Sequence, residues 1–220
     1  MTLTSPVAFE RRTKETEVQV RLWRRSVRGG ALDSDSPDFI RTGIGMLDHL
    51  IGALAFHARL GIELRVIGDT VIDDHHTTED AALGLGEALR KLIDAEPCPR
   101  RYGSILLPMD EVLIEAACDV IGRPWAAIDL RFTREFIGEL ATENVEHFFR
   151  SLAFSARICL HLAQRAPTSG VANAHHLAEA AFKAVGRSLE IALSADTSEP
   201  PPGSVSSESR GFISTKGVVS

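Results

Sequence analysis

Eight histidines stand out in this 220-residue chain, and six of them recur in a pattern that suits metal binding. Together with two glutamates they form two matching sets: His49, His75, His76 and Glu79, followed by His147, His175, His176 and Glu179. Neutral imidazole is the commonest side-chain metal ligand, and a carboxylate on the same helix face adds neutralising charge. The pattern predicts a site for two divalent ions built from six imidazoles and two carboxylates.

The two sets belong to an internal duplication. The segment HLIGALAFHARLGIEL from His49 aligns without gaps to HFFRSLAFSARICLHL from His147, with seven of sixteen positions identical. Further on, HHTTEDAALGLGEAL from His75 aligns with HHLAEAAFKAVGRSL from His175. Such repeats usually pack as similar halves, here about a pseudo-two-fold axis, so matching residues are expected in related environments.

The spacing within each His-His-x-x-Glu cluster limits how it binds metal. On a helix the Glu lies one turn from both histidines, but adjacent side chains point about 100° apart. The two histidines therefore do not chelate one ion together, and the simplest arrangement has each cluster serving two ions, with His49 and His147 completing the shells. Open positions on a six-coordinate ion indicate catalysis. For one such cluster alone, helix capping or a polar core position is the better interpretation; the duplication reverses that preference.

Further groups suit an anionic substrate: Arg101, Arg123, Lys183, Ser214, Thr215 and Lys216. Lys183 is the strongest of these, because it lies one helical turn beyond Glu179. Glu15 precedes the first predicted strand and is a candidate acid or base only if that strand end reaches the site. Asp73 and Asp74 are candidate acceptors for imidazole N–H groups, or exposed carboxylates at a helix start.

Hydrophobic periodicity predicts α+β architecture in two similar halves, each a small sheet covered on one face by helices, with the helices of the two halves packed together. In the first half we predict strands at 16–23, 62–66 and 70–72 and helices at 46–57 and 78–93. In the second we predict strands at 104–107, 111–120 and 125–132 and helices at 145–164 and 176–193. The halves span residues 1–97 and 98–194, followed by a Pro- and Ser-rich flexible linker (195–213) and a short tail (214–220).

Composition excludes several functional classes. A net charge of −6 without a basic stripe argues against nucleic-acid partners. No apolar run reaches the roughly 20 residues that a bilayer requires, and the first residues lack the apolar core of a signal peptide. Three cysteines without CxxC spacing favour neither disulfides nor a thiolate metal site. We expect a cytoplasmic protein with no membrane partner.

From about Phe9 to Val219 the chain resembles the imidazoleglycerol-phosphate dehydratase family of histidine biosynthesis. The motifs that carry the resemblance are RRTKET (11–16), GIGMLDH (43–49), DDHHTTED (73–80), RYGSILLPMDE (101–111), GRPW (122–125), VEHFF (145–149), NAHHLAEAAFKA (173–184) and STKGVV (214–219). The resemblance implies a duplicated fold of the type found in the second domain of ribosomal protein S5.

It also implies a manganese-dependent dehydration of imidazole glycerol phosphate to imidazole acetol phosphate. Two Mn²⁺ ions per subunit would be bound by the eight ligands named above, contributed by neighbouring subunits of a 24-subunit assembly built from trimers. Glu15 would shuttle the proton. The phosphate would be held by Arg101, Arg123, Lys183, Ser214 and Lys216.

The chain departs from the family pattern at Gly52 and Ala53, where the family usually has Asp and a substrate-facing Gln. A missing contact there would weaken substrate binding by about 1 to 2 kcal/mol. Two other functions are therefore considered. One is a non-catalytic metal-binding paralogue that keeps the assembly; the other, a dinuclear metallohydrolase, would require a bridging carboxylate and fewer imidazoles.

Overall fold

The computed structural model of the chain describes residues 5–25, 27–28, 31–32, 38–95, 99–167 and 170–195. The predictions for the linker beyond residue 195 and for the tail, including Ser214 and Lys216, lie outside the described residues.

Each half of the chain has the order of elements expected from the duplication. The first half contains β1 (Val7–Arg12), β2 (Thr16–Arg24), β3 (Val27–Arg28), β4 (Ala31–Leu32), β5 (Phe39–Arg41), α1 (Gly45–His57), β6 (Leu60–Gly68) and α2 (His75–Ala95). The second half contains β7 (Tyr102–Met109), β8 (Val112–Asp119), β9 (Trp125–Asp129), β10 (Phe136–Ile137), β11 (Leu140–Ala141), α3 (Thr142–Ser155), β12 (Cys159–Ala166) and α4 (Ala174–Leu193).

The two main sheets have the same topology. The first has strand order β1-β2-β6-β5 and the second β7-β8-β12-β9. In each sheet the last strand is parallel to its neighbour and the other pairs are antiparallel. The short pairs β3-β4 and β10-β11 lie outside this scheme. The α+β prediction with two similar halves is confirmed.

Two predicted elements were wrong. The helix at 145–164 is two elements, because α3 ends at Ser155 and β12 begins at Cys159. Residues 70–72 form a turn in which Val71 is 99% exposed, so their β-branched side chains do not indicate a strand. The helix predicted at 78–93 is present as α2 but begins earlier, at His75, and strand β1 was not predicted from the periodicity.

The helices of the two halves pack crosswise, α1 against α4 and α2 against α3, and each crossing depends on a glycine. A Cβ atom at Gly186 of α4 would lie 2.5 Å from the backbone oxygen of Leu54 on α1. A Cβ atom at Gly86 of α2 would lie 2.6 Å from Ser155 Cβ on α3. These equivalent glycines let the backbones approach closely, so His49 on α1 and His147 on α3 reach the opposite half. No helix among the described residues is long and apolar enough to cross a membrane.

Candidate metal centre

Each His-His-x-x-Glu cluster lies on the first turns of a helix, and a side chain two residues before its first histidine caps the helix start. Asp73 Oδ1 accepts a hydrogen bond from the His75 backbone N–H at 2.9 Å, and Asn173 Oδ1 accepts one from the His175 backbone N–H at 2.9 Å. These contacts satisfy backbone donors that the helix itself leaves unpaired. The capping contacts therefore begin both helices where the histidines stand.

The Glu179 group contains His49, His175 and Glu179. Glu179 Oε2 lies 3.8 Å from His49 Nε2 and 3.2 Å from His175 Nε2, and its other oxygen is 2.7 Å from Lys183 Nζ. Burial alone would raise the pKa of the Glu179 carboxyl, but the Lys183 ammonium and the two histidines outweigh it and lower that pKa. The carboxylate is thus held beside two imidazoles in its charged form, which is the form that binds metal ions.

The Glu79 group contains His75, Glu79 and His147 and mirrors the first. The rings of His75 and His147 stack with centroids 4.6 Å apart, and His147 Nε2 lies 3.4 Å from Glu79 Oε1. This Nε2 is buried and makes no hydrogen bond within the described part of the chain. His75 Nδ1 is 3.0 Å from Asn144 Oδ1, so the amide oxygen accepts the ring N–H when Nδ1 carries the proton.

The remaining two histidines of the pattern stand apart from both groups. His76 Nδ1 lies 3.0 Å from Asp69 Oδ2 and 4.0 Å from Glu15 Oε2. His176 Nδ1 lies 3.1 Å from Glu111 Oε2 and 3.7 Å from an oxygen of Asp110. The carboxylates raise the pKa of both imidazoles, through hydrogen bonding above all. The Asn173 backbone N–H and the His176 ring lower the pKa of Glu111 to about 2.

The structure thus brings six of the eight predicted ligands together and separates the other two. The separation follows the geometric expectation that adjacent histidines on one helix face different directions. The pairing crosses the halves: His49 of the first half joins the Glu179 group, and His147 of the second half joins the Glu79 group.

Three polar partners of the imidazoles were missed in the sequence: Asp69, Glu111 and Asn144. The sequence points to Asp73 and Asp74 for this role, but Asp73 accepts from a backbone N–H and Asp74 Oδ2 accepts from the Ala141 backbone N–H at 2.7 Å. Glu111 and Asn144 lie 65 and 69 residues from the histidines they contact, so local spacing gives no signal for them.

The donor atoms of the two groups fit divalent ions. In each group one atom from each of two imidazoles and one carboxylate lie within 4.8 Å of one another. Donors bound to one ion at about 2.1 Å lie roughly 3 Å apart, which is close to the separations found here. The mixed nitrogen and oxygen set without thiolates suits borderline and hard transition ions.

The predicted phosphate-binding residues are split between two ends of the second half. Lys183 contacts Glu179 directly. Arg101, by contrast, is buried and paired with Asp119 through contacts of 2.9 and 3.0 Å, and its backbone N–H donates to Ala192 O near the far end of α4. Exposed Arg123 precedes β9, whose first residue pairs with β12 at that same end.

Comparisons with known proteins point to one family. The family model described as "Imidazoleglycerol-phosphate dehydratase" matches residues 42–189. A protein of that name from Cereibacter sphaeroides is 45% identical over 188 residues, covering 86% of this chain and 90% of its own. One from Staphylococcus carnosus is 40% identical, covering 89% and 95%.

Solved structures agree. The imidazoleglycerol-phosphate dehydratase of Staphylococcus aureus superposes with a TM-score of 0.71 at 33% identity, covering 86% of this chain and 99% of that one. The Pyrococcus furiosus protein gives a TM-score of 0.74 at 29% identity, covering 96% and 100%.

Proposed function

The chain belongs to the imidazoleglycerol-phosphate dehydratase family, hydro-lyases of histidine biosynthesis, and we propose that it performs this dehydration with two manganese ions per subunit held between subunits. The observation that carries the proposal is the pair of three-ligand groups, each drawing one imidazole from the opposite half of the chain. Bound manganese would supply Lewis-acid polarisation of substrate nitrogen and oxygen atoms.

Sharing of sites between subunits is supported by the two histidines that stand apart. His76 and His176 belong to the same sequence pattern as the grouped ligands but lie with carboxylates of their own. In the proposed assembly they complete the groups of neighbouring subunits. The exposed Val71 and Ile72, in the turn before His75, provide apolar surface for such a contact.

The split of the phosphate-binding residues also supports a shared site. Glu179 and Ala192, which mark the two ends, are separated by about 20 Å along α4 at 1.5 Å per residue. One small substrate does not span that distance and contact both Glu179 and Arg123 of the same chain. We therefore assign the arginines to the substrate held at a neighbouring subunit's metals, with Lys183 acting at its own.

Glu15 is proposed as the group that moves the proton. Dehydration removes a proton from one carbon and a hydroxyl from the next, and the resulting enol tautomerises to the ketone. A carboxylate that accepts the first proton can deliver it to the departing oxygen, so that water leaves. Glu15 is exposed in the β1-β2 turn, 4.0 Å from the His76 ring, and its backbone N–H donates to Thr13 Oγ1 at 3.1 Å. The hydrogen bond fixes the turn while the carboxylate stays accessible.

The activity is tested with chelator-stripped protein, assayed for imidazole acetol phosphate with and without added Mn²⁺. Product that depends on manganese is expected. Absence of product from protein holding two manganese ions per chain would show a metal-binding protein without this activity. Exposed His161, on β12 outside both groups, provides the control, since His161→Ala is expected to keep metal content and rate.

The shared site is tested by mixing subunits. His175→Ala and Arg123→Ala are each expected to be inactive. If ligands and arginines come from different subunits, a 1:1 co-assembly restores about a quarter of the sites, because each intact site needs one subunit of each kind in the correct place. Sites contained within one subunit would give no recovery. His76→Ala is expected to lose manganese and the large assembly together.

A further inference from the structure

The carboxylates that contact His76 and His176 come from non-equivalent positions of the two halves. In the first half Asp69, directly after β6, lies 3.0 Å from the ring nitrogen Nδ1 of His76. In the second half Glu111, directly before β8, lies 3.1 Å from Nδ1 of His176. The same ring atom is contacted in both halves, but in one half by a residue that follows a strand and in the other by a residue that precedes a strand.

The repeat alignment explains the exchange. Glu15 and Glu111 occupy equivalent turns, since each immediately precedes the second strand of its sheet. The residue equivalent to Asp69 is Pro167, at the offset of 98 that aligns His49 with His147. Proline has no carboxylate. In the second half, therefore, the turn glutamate contacts the histidine, whereas in the first half Asp69 does so and Glu15 stays 4.0 Å away.

A carboxylate that accepts the Nδ1–H of an imidazole fixes its tautomer and leaves the Nε2 lone pair for a metal. Glu111 is itself held, because it accepts the Asn173 backbone N–H at 2.7 Å. Resting on the proposed function, we propose that Asp69 and Glu111 are positioning residues that prepare His76 and His176 to bind manganese, and that Asp69 thereby releases Glu15 for proton transfer. The duplicated glutamates thus have different tasks.

The test measures Mn²⁺ affinity of chelator-stripped full-length protein by the electron paramagnetic resonance signal of free Mn²⁺, without an activity assay. Glu111→Ala is expected to lower the binding affinity for one of the two ions by roughly 10- to 100-fold and to leave the affinity for the other unchanged. Asp69→Ala is expected to lower the binding affinity for the other ion instead. The matched control is Glu15→Ala, the same substitution at the equivalent turn, which keeps both affinities.

Conservative variants separate hydrogen bonding from charge. Glu111→Gln and Asp69→Asn retain an oxygen that accepts the imidazole N–H, so they are expected to recover most of the affinity lost in the alanine variants. Asp110→Asn removes a nearby charge without the hydrogen bond and is expected to change affinity less than about threefold.

The outcomes distinguish this inference from the function on which it rests. Wild-type protein that fails to bind two manganese ions per chain overturns both. Wild-type protein that binds two ions, together with alanine variants that bind both equally well, overturns the positioning role alone. Equal losses in Glu15→Ala and Glu111→Ala would mean that the two glutamates have not diverged.

Discussion

The two halves of the molecule use one framework and differ at a few chemically decisive positions. Both sheets have the same strand order. The two helices that carry a His-His pair are each capped next to that pair, and each packs against a helix of the opposite half through a glycine. The halves differ in the carboxylate that contacts His76 or His176, in the residues that fill the core and in the charge of the capping side chain. Duplication therefore supplied the proposed metal ligands twice, while the differences between the halves give them different roles in the proposed mechanism.

The largest expected difference between the halves concerns their turn glutamates in catalysis. Glu15→Gln removes the proposed proton-transfer group and is expected to lower kcat by about 10²- to 10⁴-fold while both manganese ions stay bound. Steady-state kinetics with metal analysis checks this. Glu17→Gln, in strand β2 two residues after Glu15, is the control and should retain the wild-type rate. A near-normal rate for Glu15→Gln would remove Glu15 from the mechanism and make the halves more alike.

The second largest expected difference between the halves is in the residues that fill their cores. Phe148, Phe149 and Phe182 are fully buried in the second half, and the Phe182 ring lies 4.9 and 4.6 Å from the other two. The equivalent positions of the first half hold Leu50, Ile51 and Ala82.

Phe182→Ala should therefore lower the free energy of unfolding by about 3 to 5 kcal/mol, because removing the Phe182 ring leaves a cavity that the neighbouring rings do not fill. Phe182→Leu, which keeps most of the volume, should cost only about 1 kcal/mol. Urea unfolding at fixed protein and manganese concentrations measures both. If the two substitutions cost the same, cavity formation is not the cause.

The repeat made much of the fold predictable from the sequence, and it singled out the six imidazoles and two carboxylates that we propose as metal ligands. It also contained information that periodicity alone missed. Ile158 to Leu162 align with Leu60 to Leu64, which lie in the strand β6, so the alignment indicated a strand where the apolar run suggested a longer helix. A short apolar run fits either element by period, whereas its repeat partner carried clear alternation.

What the sequence could not give is the pairing across space. His49 meets Glu179 only because Gly186 lets α4 approach α1, and no local spacing encodes that crossing. Asp69 was missed for a related reason. It lies seven residues before His76, outside the helix, and contacts the ring only because the turn after β6 folds back.

Alanine substitutions at the two glycines of the helix crossings, Gly86 and Gly186, are expected to differ less, and by degree, in their cost to stability. Gly186→Ala forces its Cβ against a backbone oxygen at 2.5 Å, which moves only with α1, while Gly86→Ala first meets Ser155 Cβ at 2.6 Å and then the Leu152 backbone oxygen at 2.9 Å. Overpacking of this kind costs about 1 to 3 kcal/mol, and we expect the larger value at Gly186.

The same variants should affect different ions. Displacing α1 moves His49, so Gly186→Ala is expected to weaken manganese at the Glu179 group, whereas Gly86→Ala affects the Glu79 group through His147. Unfolding curves and manganese titration on each variant measure the two effects. Equal losses at both groups in both variants would contradict the crosswise pairing.

The smallest difference concerns the caps. Asp73 and Asn173 make the same 2.9 Å hydrogen bond to a helix N–H, so Asp73→Ala and Asn173→Ala should each cost about 1 kcal/mol in unfolding free energy. Of the two capping side chains, only Asp73 is negatively charged. Negative charge is favourable at a helix start, so Asp73→Asn should lower the unfolding free energy by about 0.3 to 1 kcal/mol.

Asn173→Asp, the reverse substitution at the equivalent cap of the second half, is not expected to raise the unfolding free energy by the same amount. Glu111 already places a carboxylate on the Asn173 backbone N–H, so Asn173→Asp would bring two negative side chains together at the start of α4. Repulsion offsets the helix-dipole gain, and the unfolding free energy should stay within about 0.5 kcal/mol of wild type. A clear gain for Asn173→Asp would mean that the neutral cap of the second half is unrelated to the glutamate beside it.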